Sequence, residues 1–114
     1  MSQQRIDIDT FVKKVIEKTD NNECKWTVTS TNDKYQLMLN NGALTIEHAA
    51  GDNWGGEFYK LDVSDSSGSV FATYYGDSEN NENYSLLQKL FQAVADYFKR
   101  LQEEKLAKLF EELI

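Results

Sequence analysis

The stretch KYQLMLNNGALTIEH, residues 34–48, alternates apolar and polar side chains on either side of a short hinge. Tyr35, Leu37 and Leu39 share one face, and Leu44, Ile46 and His48 resume it beyond the hinge. Such alternation marks half-buried strands. An Asn-Gly pair between two alternating runs is the strongest short-range hairpin signal. With Asn41-Gly42 at the turn centre, Leu39 is expected opposite Leu44, Leu37 opposite Ile46, and Tyr35 opposite His48.

Two further turns extend this register outward. TNDK, residues 31–34, predicts Ser30 opposite Tyr35, Val28 opposite Leu37 and Trp26 opposite Leu39. DSSG, residues 65–68, predicts Val63 opposite Val70, Leu61 opposite Ala72 and Tyr59 opposite Tyr74. All three turns agree on one apolar face, as a period of two requires. It runs from Trp26, Val28, Tyr35, Leu37 and Leu39 through Leu44, Ile46, Tyr59, Leu61 and Val63 to Val70, Ala72 and Tyr74. The strands are expected at about 25–30, 35–40, 43–48, 57–64 and 69–75.

Helices flank this meander. Asp9 is a natural N-cap for a helix over 9–18, with Phe11, Val12, Val15 and Ile16 at helical spacing. A second helix, 84–113, is free of Gly and Pro and carries Leu87, Leu90, Phe91, Val94, Phe98 and Leu101 along one stripe. The expected architecture is α+β: an N-terminal helix, a five-stranded antiparallel meander and a long C-terminal helix, both helices on one face. At 114 residues the chain is the size of one domain, 1–114.

Composition narrows the function classes. No run is apolar enough to span a membrane, and MSQQRIDIDTF lacks a secretory pattern. The one cysteine, Cys24, cannot form an internal disulfide, so a cytoplasmic location is expected. The net charge is −7, and residues 47–82 hold eight acids against Lys60 alone, while the rest of the chain is balanced. That field disfavours nucleic acid and favours a basic partner.

The face opposite the core reads Thr27, Thr29, Gln36, Met38, Thr45 and Glu47 on the first three strands, as a solvated face should. On the last two it reads Phe58, Lys60, Asp62, Phe71, Thr73 and Tyr75. The expected register sets Phe58 against Tyr75 and Asp62 against Phe71, with Trp54 in the preceding loop able to join them. An aromatic patch ringed by Asp62 and Asp77 suits recognition of a basic protein. Alternatives are self-association through this face and a Trp54 loop folded over it.

Reaction chemistry finds little support. DSENNE, residues 77–82, alternates Asp77, Glu79 and Asn81 in the manner of a calcium loop. It has Glu82 where the sharp turn needs Gly and Gln88 where a bidentate Glu is needed. Asn81 or Asn83 as the helix N-cap accounts for the same residues. His48 is expected as a hydrogen-bonded residue at the core margin, and Cys24 as a small buried side chain. No phosphate loop or nucleophile elbow is present. We expect no catalytic residue, metal or cofactor.

The C-terminal helix is longer than the strands it covers, about 45 Å against about 17–23 Å. Its apolar stripe also changes course after QEEK, resuming at Leu106, Leu109, Phe110 and Leu113. This second stripe is expected to make a homodimer, dock another protein, or fold back on the first helix after a kink near Glu103.

In size, acidity and terminal helices the chain resembles type III secretion chaperones, dimers that hold effectors, although AAGDNWGG, residues 49–56, stands where that family has a helix. It is similar in general character to small acidic immunity or inhibitor proteins of bacteria and phages. Both resemblances imply a non-catalytic inhibitor, immunity or adaptor protein that occupies a partner. A small-ligand or catalytic cleft between the Trp54 loop and the sheet is the alternative.

Overall fold

Helix α1 (Ile8–Asp20) begins where Asp7, in extended conformation, accepts a hydrogen bond on Oδ1 from the Thr10 N–H at 2.7 Å. Asp7 is therefore the N-cap in place of Asp9, which sits in the first turn and pairs with Lys13 at 2.7 Å. The helix ends in a Schellman arrangement: Glu23 N–H donates to the Lys18 carbonyl and Asn22 N–H to that of Thr19. Asn22 takes the left-handed conformation, φ 61°, that this ending requires and that Asn tolerates better than most residues.

The computed structural model describes residues 6–49, 57–77 and 83–114. After α1 come β1 (Trp26–Val28), β2 (Lys34–Leu39), β3 (Gly42–Ala49), β4 (Phe58–Asp65), β5 (Val70–Asp77) and helix α2 (Tyr84–Leu113). The strands form one antiparallel sheet in sequence order. Both helices cover one face, as the meander predicts. Val12 and Val15 of α1, Leu87, Leu90, Val94 and Tyr97 of α2, and Trp26, Leu37, Leu44, Ile46, Tyr59 and Leu61 of the sheet make one buried core. A polar tie runs through it. Trp26 Nε1 donates to Thr19 Oγ1 at 3.0 Å, and that hydroxyl donates to the Val15 carbonyl at 2.7 Å.

The expected registers are corrected by two residues in each hairpin. Trp26 faces Leu37, where Leu39 was expected, because the turn is the longer loop 29–33, closed by Thr29 Oγ1 and by Asp33 at φ 57°. Leu37 faces Leu44 because Asn40 and Asn41 make the next turn and Gly42 belongs to the strand. Gly42 has no positive φ. Its role is close approach: a Cβ there would lie 2.1 Å from the Ser64 carbonyl oxygen. In the third hairpin Asp65 Oδ1 accepts from the N–H groups of Ser67 and Ser69, and an irregularity at Val63/Ser64 sets Val63 against Ala72, Leu61 against Tyr74 and Tyr59 against Gly76.

A two-residue slip preserves the face of each paired side chain. The apolar face therefore survives while three of its expected members leave the core. Val28, Leu39 and Val70 are 68%, 50% and 56% exposed, because they lie at strand ends or, for Val70, opposite Ser64 beside the irregularity.

Candidate functional site

With both helices on one side, the opposite face of the sheet carries no other element among the described residues. Its side chains form rows fixed by the register. Lys34, Glu47, Lys60 and Tyr75 make one row across four strands. Gln36, Thr45, Asp62 and Thr73 make the next, and Ala49, Phe58 and Asp77 a third.

Phe58 and Tyr75 meet, with ring centroids 6.2 Å apart, although they are one row out of direct opposition. Tyr75 faces Lys60, whose Nζ stands 6.0 Å from the Tyr75 ring centroid. Asp62 faces Thr73, where Phe71 was expected, and accepts from its Oγ1 at 2.7 Å while lying 3.6 Å from Lys60 Nζ. Asp77 lies opposite Phe58. The acidic rim is thus partly internally paired.

Phe71 departs from this cluster. The irregularity leaves it without a Cα partner on β4, and it lines a shallow depression with Ile6, Ile8, Phe11, Val63 and Tyr74. It is 67% exposed and makes no ring contact with Phe58 or Tyr75 among the described residues. Trp54 and the DSENNE segment beyond Asp77 lie outside the described residues.

A second constellation gathers at the other face, at the junction of β3, β4 and α2. His48 Nε2 lies 2.9 Å from Glu57 Oε2, and Tyr84 Oη donates to Glu57 Oε1. The His48 ring packs on Tyr59 at 4.8 Å and on Phe91 at 5.5 Å. The hydrogen bond from Tyr84, then that from His48, holds the Glu57 carboxyl below its ordinary value. The same Glu57 contact pushes the Tyr84 phenol up to about 12. Gly76 makes the arrangement possible, since a Cβ there would fall 2.5 Å from the Tyr84 nitrogen. His48 is hydrogen-bonded at the core margin as expected. The Glu57 carboxylate was hidden in the sequence because the connection AAGDNWGG, residues 49–56, is too long to fix the β3–β4 register as a two-residue hairpin turn would.

Cys24 is half-buried and its thiol is pushed up by burial. Asn83 is the α2 N-cap, but its side chain makes no capping bond and donates from Nδ2 to the Tyr75 carbonyl at 3.3 Å. No group of three His, Cys, Asp or Glu side chains able to hold a metal occurs among the described residues, and no helix among them is long and apolar enough to cross a membrane.

Helix α2 is continuous through Leu113, which overturns a fold-back after a kink near Glu103. Leu106, Leu109, Phe110 and Leu113 are 57–82% exposed. The radius of gyration, 16.1 Å, exceeds the roughly 13 Å of a compact domain this long. Compared with protein-family models, curated proteins and solved structures, the chain matches none.

Proposed function

We propose that this chain is a non-enzymatic, acidic protein-binding domain of the inhibitor, immunity or adaptor kind, working through the uncovered face of its sheet. The observation that carries the reading is the Phe58–Tyr75 ring pair on that face, with Tyr75 59% exposed. Aromatics are over-represented among the residues that dominate protein interfaces. Glu47, Asp62 and Asp77 around the pair and the acidic excess of residues 47–82 favour a basic partner, and the lysine at position 60 supplies an internal counter-charge. Trp54 and Phe71 stand at the margin of this reading, the cytoplasm is its expected setting, and no cofactor enters it.

The His48–Glu57–Tyr84 cluster favours one other reading, a small ligand held where β4 meets α2. Native mass spectrometry and affinity capture with the intact chain separate the two. On the first reading a basic protein co-purifies, is lost on Tyr75→Ala and survives His48→Ala. Retention of that protein by Tyr75→Ala and Phe58→Ala, or a small molecule lost only on His48→Ala, overturns it.

A further inference from the structure

Among the described residues Arg100 is the last α2 side chain tied to the domain by a hydrogen bond, donating to Thr19 and Asn22. From Gln102 onward every residue is exposed, about 18 Å of helix at about 1.5 Å per residue. This segment continues a helix already nucleated by its packed part, yet Leu106, Leu109, Phe110 and Leu113 on it stay exposed. Gln102, Leu106, Leu109 and Leu113 recur at spacings of four, three and four, which is the seam of a two-stranded coiled coil, with Phe110 beside it.

The flanking charges identify what covers the seam. Three and four residues either side of Lys105 stand Leu101, Gln102, Lys108 and Leu109, none of them acidic. Lys105 takes part in no ion pair among the described residues. Its equivalent one heptad later is Glu112, of opposite charge. A helix with this pattern complements itself in only one direction. In a parallel pair, Lys105 would meet the partner's Phe110 at the flank. In an antiparallel pair that layers Leu106 on the partner's Leu109, Lys105 meets the partner's Glu112, and symmetry makes the contact twice.

We infer that two copies of this chain associate antiparallel through residues 102–113, with Leu106 of each against the partner's Leu109 and Lys105 of each facing the partner's Glu112. The arrangement opposes the two helix dipoles and keeps the two domains at opposite ends of the seam. It is independent of the sheet-face reading. The seam is short, so its area falls at the low end of specific interfaces, and the dissociation constant is expected at roughly micromolar or weaker.

Sedimentation velocity of the intact chain, over a concentration series from micromolar to millimolar, tests this. The wild type is expected to move from monomer to dimer, and Leu109→Glu to remain monomeric with its sheet intact by circular dichroism. Lys105→Glu and Glu112→Lys each weaken the dimer by about three- to tenfold, as exposed ion pairs do. The double variant Lys105→Glu/Glu112→Lys restores it. These two sites are exposed and, seven residues apart on one helix, too far apart to touch, so rescue requires the antiparallel pair. A wild type that stays monomeric throughout, a dimer indifferent to Leu109→Glu, or charge reversals without rescue overturns the inference.

Discussion

Arg100 and Asn22, 78 residues apart, are joined by two hydrogen bonds, from Nε at 3.2 Å and Nη2 at 3.0 Å to Asn22 Oδ1. Nη2 also donates to the Thr19 carbonyl at 3.1 Å. The guanidinium therefore sits on the carbonyl end of α1, where a cation complements the helix dipole, and fixes the last turn of α1 to α2. Arg100→Ala is expected to cost roughly 1.5–3 kcal/mol in chemical denaturation, the range for hydrogen bonds to a charged group. Asn22→Ala should cost more than Asn22→Gly, because alanine adds the penalty of left-handed backbone that glycine avoids.

Gly42→Ala should destabilise the protein by about 1–3 kcal/mol, the usual range for a group forced into filled space. The cause is the 2.1 Å approach to the Ser64 carbonyl oxygen, not turn geometry. Urea unfolding of the variant measures it. A neutral result would mean that β3 and β4 separate at that end without penalty.

The Tyr84–Glu57 bond gives stability a pH signature. Glu57 has a carboxyl pKa lower in the folded chain than its ordinary value of 4.5, so its contribution is full above that value and is lost as pH falls through the lower folded one. Tyr84 is raised from 10.0 to about 12, so its contribution is present below 10 and is lost as pH rises through about 12. Tyr84→Phe removes the larger cause of both shifts. The stability gap between wild type and Tyr84→Phe should be widest at neutral pH and narrow at both extremes, measured by thermal unfolding across pH. A gap independent of pH would refute the link.

Tyr75→Ala is expected to change folding stability by no more than about 0.5 kcal/mol, as at most exposed sites. Against a partner it should lose about 2 kcal/mol or more, the range for a central interface aromatic. Phe58, partly buried, should cost more in folding than Tyr75 yet less than the roughly 3–5 kcal/mol of a core phenylalanine. A core-sized loss at both positions would place the pair inside an obligate contact.

The element order, the inward face and the exposed second stripe of α2 were legible in the sequence, because they depend on periodicity alone. A strand's inward residues are set by parity, and the slips displaced pairings by two, so Leu37, Leu44, Ile46 and Leu61 reached the core despite the wrong neighbours. Which residues stand opposite each other depended on loop hydrogen bonds at Thr29 and Asp65 and on the packing of Gly42 against Ser64. Those bonds exist only once the hairpins close. The same holds for the sites. Tyr75 beside Lys60, Phe71 set apart by the strand irregularity, and His48 beside Glu57 all follow from register. Only the tertiary structure decided them, because bringing residues distant in sequence together, or holding them apart, requires the strands and helices between them to be in place.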